Sequence, residues 1–438
     1  MIKLINKISS ILIIIILTTT PIISASFIIK ENSQNNTKIE NKNINQKIMN
    51  VIQTINETLL KNLLEKLVSF GPRMTGTYGC EKAAEYIYNK FKKMNLTTRY
   101  QPWESFGNKW NPRFFKGKNI EATLKGKSNP EKDTLIFNAH YDSVKVSPGA
   151  NDDGSGVVAV LAAAYALSKY KFNRTIKFVT FSGEEEGLLG SKAYVKEIYE
   201  NNTDILVELN ADMIGYAETT EGGKTYRLWG TEDTPWIINS IKNINQEFNI
   251  GFLNMPTRTL RRDLKGGGSD YFNFLKYGYE CIIFWQSEYN KEYYHTPNDT
   301  IEHVNFSYLV NTTRLIAGTL AYLADAEIEP PQIHIASPKK GKLYFEDRIL
   351  KTLKDFKTTV IDDVLIYTEV EQGSSPIKKV EFYYDGKLQH TAWEKPYIWR
   401  LNKISIRKHN ITAIVYDENG KTSKDTIYFT FLNLIRKR

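Results

Sequence analysis

The sequence predicts two folded parts, an α/β sandwich with a mostly parallel mixed sheet and an all-β sandwich at the carboxyl end. In the middle of the chain, short apolar runs typical of buried strands alternate with longer segments typical of helices. Beyond Pro330-Pro331 the pattern changes, and apolar residues recur at every second position between turn dipeptides such as Asp385-Gly386. The 438 residues are long enough for two or three domains.

The α/β part is predicted over residues 51–328, and the β part over residues 329–438. The predicted strands of the α/β part are 119–124, 135–139, 175–181, 206–210 and 281–285, and its predicted helices are 156–169, 188–199, 236–248 and 308–326. In sheets of this kind, ligands bind beyond the carboxyl ends of the strands. Polar residues directly after each strand are therefore the candidates for a functional site.

The amino end is predicted to be a targeting segment. Lys3 and Lys7 precede an apolar run that gives way to small residues near Ala25, which is typical of a cleaved secretory signal peptide over residues 1–25. An uncleaved membrane anchor is the alternative, but the run is shorter than the roughly 20 residues that a span requires. Residues 26–50 are rich in Asn and Lys and are predicted to be a solvated linker. We therefore expect a protein that is secreted or held at the cell surface.

The positive charge of the chain is unevenly distributed. The net charge is +9, of which residues 329–438 carry +6, from 20 basic and 14 acidic residues. The α/β part is close to neutral, which excludes a uniformly basic nucleic-acid-binding protein. The basic carboxyl domain is expected either to serve solubility or to contact an anionic cell envelope.

The two cysteines, Cys80 and Cys281, exclude a disulfide-rich scaffold. The sequence leaves open whether they pair or are buried free thiols.

Carboxylates and imidazoles follow the predicted strands, in the segments HYDS, GANDDGSG, SGEEEGLLGS, NADM and YYHTPNDT. These residues are His140, Asp142, Asp152, Asp153, Glu184, Glu185, Glu186, Asp212 and His295. Each segment alone would be an ordinary loop, but their order and their common place at strand ends predict one metal site. Two Zn²⁺ ions that share a carboxylate require this mixture of ligands, and a further carboxylate is needed for proton transfer. Cobalt or manganese would also be accepted.

Together these segments resemble the co-catalytic di-zinc exopeptidases of clan MH, which include secreted leucine aminopeptidases, glutamate carboxypeptidase II and the glutaminyl cyclases. The resemblance covers about residues 50–328. It implies two Zn²⁺ ions per monomer, with His140 and Asp212 on one ion, Glu185 and His295 on the other, and Asp152 bridging both.

The resemblance also implies catalytic roles. Glu184 would act as the general base and then as the acid, and Asp142 would orient His140. A cis peptide bond is expected between Asp152 and Asp153. Tyr294 would polarise the substrate carbonyl, as in the glutamate carboxypeptidase branch, with a packing role as the alternative.

The tyrosine that some secreted aminopeptidases use to polarise the carbonyl is replaced here by Gly266. Arg261 and Arg262 are either binders of a substrate carboxylate or part of a solvated loop.

The implied activity is the release of amino-terminal residues from peptide substrates. A carboxypeptidase, a glutaminyl cyclase and a non-catalytic surface adhesion protein are the alternatives. Glutaminyl cyclases lack the paired aspartates and bind one zinc ion, so Asp152-Asp153 favours hydrolysis. The complete ligand set favours an enzyme over a scaffold. The stretches KKVEFYYDGKLQHTAWEKPYIWRL and HNITAIVYDENG resemble bacterial Ig-like modules, a likeness that leaves the ligand of this domain open.

Overall fold

The computed structural model describes residues 43–109, 111–127, 132–263, 268–327, 329–353, 357–418 and 420–434. The predicted signal peptide, the predicted linker as far as residue 42, and Gly266 lie outside these ranges.

Three helices precede the sheet, and the first of them corrects the predicted linker. Helix α1 runs through residues 43–54, α2 spans Glu57–Val68 and α3 spans Tyr78–Lys93. The linker prediction is wrong over residues 43–50, because Ile48 is buried in the main hydrophobic core. Isoleucines recur there at helical spacing, while Asn43 and Gln46 are exposed. The average composition of the segment conceals this periodicity.

An eight-stranded mixed sheet forms the centre of the α/β domain, as predicted. Its strands are β1 (Thr97–Phe106), β2 (Phe114–Leu124), β3 (Thr134–His140), β4 (Ile176–Phe181), β5 (Ile205–Ala211), β6 (Tyr226–Gly230), β7 (Thr257–Thr259) and β8 (Cys281–Gln286). The spatial order is β1-β2-β4-β3-β5-β8-β6-β7. The four central strands β4, β3, β5 and β8 are parallel, so their carboxyl ends lie at one edge of the sheet.

Helices cover both faces of this sheet. They are α4 (Gly154–Leu167), α5 (Leu189–Glu200), α6 (Pro235–Glu247), α7 (Tyr271–Lys276) and α8 (Phe306–Asp325). Side chains of α4, α6 and α8 share one core with α1, α2 and α3, and those of α5 and α7 form a second core on the opposite face. Cys80 belongs to the first core and Cys281 to the second, and both are buried free thiols.

The carboxyl region is an all-β sandwich, as predicted. Its strands are β9 (Gln332–Ser337), β10 (Lys342–Phe345), β11 (Arg348–Thr352), β12 (Thr358–Ile361), β13 (Val364–Glu371), β14 (Ile377–Tyr384), β15 (Lys387–Ala392), β16 (Ile398–Leu401), β17 (Ser405–Asp417) and β18 (Thr422–Asn433). A seven-stranded sheet and a three-stranded sheet enclose one apolar core. Lys421 of this region lies over the ring of Trp236 in α6, with Nζ 5.4 Å from the ring centroid.

Candidate metal centre

The parallel strands bring the predicted ligands to one edge of the sheet. His140 is the last residue of β3, and Asp212 directly follows β5. Glu185 follows β4 by four residues, and His295 lies in the loop after β8. Asp152 precedes α4, whose amino end lies at the same edge. Residues that are distant in sequence are therefore close in space because parallel strands end together.

Asp152 lies between the two histidines. Its Oδ1 is 3.3 Å from Nε2 of His140, and its Oδ2 is 3.1 Å from Nε2 of His295. His140 is almost completely buried, whereas the side chain of His295 is 37% exposed. The His295 side of the cluster is thus the side that faces solvent.

The two adjacent glutamates point to different parts of the cluster. Oε2 of Glu185 is 3.1 Å from Nε2 of His295. Glu184 instead groups with His140 and Asp212, and ligand atoms of these three residues all lie within 4.8 Å of one another. His140, Asp152 and Glu185 form a second such group. The two groups share His140, so possible ligand atoms for two neighbouring ions lie together at this edge of the sheet.

The electrostatics of the cluster favour bound cations. Burial, and then repulsion from Asp152, raises the pKa of Glu185 to about 7. Burial also raises the pKa of Glu184 well above its ordinary value. Although burial disfavours a charged imidazole, Asp152 and Glu185 raise the pKa of His295 to about 10. Oε1 of Glu185 is buried and has no hydrogen-bond partner within the described residues. A buried carboxylate oxygen without a hydrogen-bond partner is suited to bind a metal ion, because a cation compensates the cost of burying its charge.

Asp142 contacts His140, mainly through its backbone. Nδ1 of His140 is 3.2 Å from the carbonyl oxygen of Asp142 and 3.6 Å from its Oδ1. The carboxylate also accepts the backbone N–H groups of Glu184, at 3.4 Å, and of Glu185, at 3.2 Å. Asp142 thus fixes the glutamate loop as well as the histidine, a second contact that the sequence did not reveal.

Tyr294 lies beside the cluster, and its ring stacks on that of His295 with centroids 3.8 Å apart. Burial, and then the nearby carboxylates, raises the pKa of Tyr294 above its ordinary value, so its hydroxyl is a proton donor at neutral pH. Arg261 pairs with Asp263, and Arg262 pairs with Glu280, both on the exposed surface. The two arginines therefore belong to a solvated loop.

Three further residues support the cluster, and of these only Asp153 was among the candidates from the sequence. Asp153 is fully buried, and its carboxylate accepts the backbone N–H of His140 at 3.2 Å and that of Met213 at 3.1 Å. It thereby joins the ends of β3 and β5. The peptide bond between Asp152 and Asp153 is cis, as the resemblance implied. Arg73 and Asp299 are also buried next to the loop of Asp152.

Comparison with known proteins agrees with the metal centre that the geometry indicates. Residues 119–320 match the profile of peptidase family M28. The chain is 31% identical over 243 residues to aminopeptidase YwaD of Bacillus subtilis, a match that covers 52% of this chain and 50% of that protein. It is 29% identical over 281 residues to leucine aminopeptidase 1 of Fusarium vanettenii, covering 59% of this chain and 68% of that protein. The chain thus spans half the length of the Bacillus relative.

Solved structures share the fold of the α/β domain. A zinc aminopeptidase from Bacillus subtilis superposes with a TM-score of 0.53 at 20% identity, covering 62% of this chain and 96% of that one. A glutaminyl cyclase from Fimbriiglobus ruber superposes with a TM-score of 0.51 at 16% identity, covering 61% and 95%. The fold alone therefore accommodates both hydrolysis and cyclisation, and the site residues must distinguish them.

Proposed function

We propose that the protein is a zinc-dependent aminopeptidase of peptidase family M28, whose profile residues 119–320 match, and that it releases amino-terminal residues from peptides. The observation that carries the proposal is the position of Asp152, within 3.3 Å of His140 and 3.1 Å of His295. One carboxylate with an imidazole on each oxygen is the arrangement that two neighbouring ions share. The names of the Bacillus and Fusarium relatives support the choice of an aminopeptidase.

The residues present fit two zinc ions. His140 and Asp212 would hold one ion, Glu185 and His295 the other, and Asp152 both. Zinc, when bound, supplies the Lewis acidity that polarises a peptide carbonyl and makes a water molecule nucleophilic near neutral pH. The zinc aminopeptidase from Bacillus subtilis, whose fold this domain shares, supports the choice of metal.

The chain supplies proton transfer and orientation. Glu184 is a half-buried carboxylate whose pKa desolvation raises well above its ordinary value, so it can take a proton from water and return it to the leaving amine. The carboxylate of Asp142 accepts the backbone N–H of Glu184 and so positions this residue. The carbonyl oxygen of Asp142 lies beside Nδ1 of His140 and orients the imidazole ring. The Tyr294 hydroxyl remains protonated and can donate a hydrogen bond to the carbonyl oxygen as negative charge develops there.

A glutaminyl cyclase is the second candidate, because a cyclase shares the fold. The paired Asp152 and Asp153 argue against it, since the first contacts both imidazoles and the second accepts the backbone N–H of His140. A non-catalytic adhesion protein is disfavoured because all the predicted ligands converge on one cluster.

An activity panel on the purified full chain tests the proposal. The substrates are an aminoacyl anilide, the same anilide with an acylated amine, a dipeptide with a blocked amino group, and a glutaminyl peptide. An aminopeptidase cleaves the free anilide and can release glutamine from the glutaminyl peptide, but it leaves both blocked substrates intact. Release of the carboxyl-terminal residue from the blocked dipeptide indicates a carboxypeptidase, and loss of ammonia from the glutaminyl peptide indicates a cyclase. No turnover of any substrate by the zinc-loaded chain would indicate an adhesion protein.

Export and envelope contact complete the proposal. The basic and apolar pattern of residues 1–25 supports secretion. Among the described residues, no helix is long and apolar enough to cross a membrane.

The β domain, which we take to be an Ig-like module, exposes Arg407 and Lys408 on β17. Such side chains can hold the enzyme at an anionic surface by electrostatic attraction.

Binding of the full chain to isolated envelopes at about 50 mM and about 500 mM salt tests this contact, since exposed charges are screened beyond about 8 Å at physiological salt. Loss of binding at the higher salt supports it, and binding indifferent to salt contradicts it. A variant with Arg407 and Lys408 changed to Gln should bind more weakly at the lower salt.

A further inference from the structure

Two buried charged side chains hold the loop that ends at Asp152. Arg73 is 0% exposed and Asp299 is 2% exposed. Burying a charge is costly unless opposite charges or well-placed dipoles compensate it. The groups that these two side chains contact therefore indicate what they do.

Asp299 binds three successive backbone N–H groups of the loop. Its Oδ1 accepts the N–H of Asn151 at 2.8 Å, and its Oδ2 accepts the N–H of Asp152 at 3.0 Å. Its carbonyl oxygen accepts the N–H of Ala150 at 3.1 Å. Asp299 lies four residues after His295, so these bonds join the segment that carries His295 to the segment that carries Asp152.

Arg73 binds carbonyl groups on the other side of the same loop. Its Nη2 donates to the carbonyl of Gly149 at 2.8 Å, and its Nη1 donates to that of Pro148. Its Nε donates to the carbonyl of Tyr141, the residue after His140, at 2.7 Å. The positive charge thus meets peptide oxygens and the negative charge of Asp299 meets peptide N–H groups, so both side chains fix the loop in one orientation.

Gly149 shows how closely the loop is held. Its φ is +62°, and a Cβ there would lie 2.8 Å from Nη2 of Arg73 and 2.5 Å from the carbonyl oxygen of Asp152. A larger residue at position 149 would displace the loop from Arg73.

We propose that Asp299 and Arg73 are a positioning pair that sets the spacing between His295 and Asp152, and thereby the affinity of the ion on the His295 side. The inference rests on the proposed di-zinc function. The His140 side is held separately, because its backbone N–H binds Asp153 and its Nδ1 lies 3.2 Å from the carbonyl of Asp142. Loss of Asp299 should therefore affect the two ions unequally.

Zinc binding to the full chain tests this proposal directly. Wild type and Asp299→Asn are dialysed against a series of buffered free Zn²⁺ concentrations, and bound zinc per monomer is measured. The amide has nearly the shape of the carboxylate, but its NH₂ group faces a backbone N–H. We expect one ion to bind as in wild type and the other to bind about 10–100-fold less tightly, the usual effect of losing an outer partner of a metal ligand. Anilide hydrolysis by the variant should recover as zinc is raised, through kcat rather than KM.

Asp325→Asn is the matched control. Asp325, at the carboxyl end of α8, is a half-buried aspartate whose carboxylate accepts the backbone N–H of Asn173 at 2.9 Å and pairs with Lys47. It should lose stability without any change in either zinc affinity. Arg73→Lys is the second variant, because a lysine cannot reach three carbonyls at once. Two of these carbonyls, those of Pro148 and Gly149, lie in the loop of Asp152, so the variant should weaken the same ion more than the other.

Equal weakening of both ions by Asp299→Asn and Arg73→Lys, or of neither, overturns the positioning pair. If Asp299→Asn fails to fold, the result with Arg73→Lys alone decides. A wild-type protein that binds fewer than two zinc ions contradicts the proposed function instead, so the two failures are distinguishable.

Discussion

Oδ2 of Asp152 lies 3.1 Å from Nε2 of His295, while its other carboxylate oxygen lies 3.3 Å from Nε2 of His140. Each carboxylate oxygen of Asp152 therefore contacts one histidine, and the ligand set on either side of the cluster includes this residue. The two histidines come from different segments, one at the end of β3 and one after β8. The fold thus makes the two halves of the centre depend on a single loop.

Glu184→Gln should lower kcat by about 10²–10⁴-fold, the contribution of a positioned proton-transfer group. The amide cannot accept a proton but keeps the backbone N–H that binds Asp142. Zinc content should stay at the wild-type value. Steady-state kinetics and metal analysis of the same preparation measure both quantities.

Glu185→Gln is the neighbouring comparison and should lose zinc first. The Oε2 atom of Glu185 lies 3.1 Å from Nε2 of His295, where it would share an ion. Activity should return in part at high free zinc. If Glu184→Gln lost metal while Glu185→Gln kept it, the roles of the two residues would have to be exchanged.

Tyr294→Phe should lower kcat by about 10²-fold with little change in KM, because a donor to the developing oxyanion acts chiefly in the transition state. The ring stacking on His295 is retained by phenylalanine. Zinc content is therefore expected to be unchanged. A variant with wild-type kcat would show that Tyr294 only packs against the histidine.

Glu208 on β5 should make the stability of the protein depend on pH. Burial raises its pKa from 4.5 to about 8, and its Oε1 accepts a hydrogen bond from Asn138. Between these two pH values the folded protein holds a proton that the unfolded chain has released. Stability should therefore fall as pH rises from about 4.5 to 8.

Glu208→Gln removes this titration. Relative to wild type, the variant should gain about 2–4 kcal/mol between pH 5 and pH 8.5, at 1.36 kcal/mol for each unit of pKa shift. Denaturant unfolding of the zinc-loaded proteins at the two pH values measures this difference. The same difference in stability at both pH values would show that Glu208 does not titrate in this range.

The central sheet and the ligands could be predicted because they carry local signals. Buried strands such as β8 are largely apolar runs. The residues at or just beyond the carboxyl ends of the strands, such as His140 and Asp212, are polar where a core would require apolar side chains. The order of these segments was enough to predict one site. Chain topology then brings the segments together without further information from the sequence.

The supporting residues could not be predicted, because they act on the backbone. Asp299 and Arg73 bind peptide N–H and carbonyl groups, which leave no trace in the identity of the residues they contact. A lone arginine before the first strand gave no reason to expect burial. Helix α1 was missed for another reason: its apolar stripe is narrow, and the surrounding Asn and Lys residues are typical of a linker.

The number of zinc ions per monomer, measured in wild type and in Asp152→Ala, is the most direct test of a di-zinc centre bridged by Asp152. The full chains are equilibrated with excess zinc, freed of unbound metal and analysed for zinc and protein, with Asp325→Asn as the control for a carboxylate lost away from the cluster. We expect two ions in wild type and in the control, and loss of both ions together with activity in Asp152→Ala. One ion in a fully active wild type, or two ions retained by Asp152→Ala, would contradict a centre built around this bridging carboxylate.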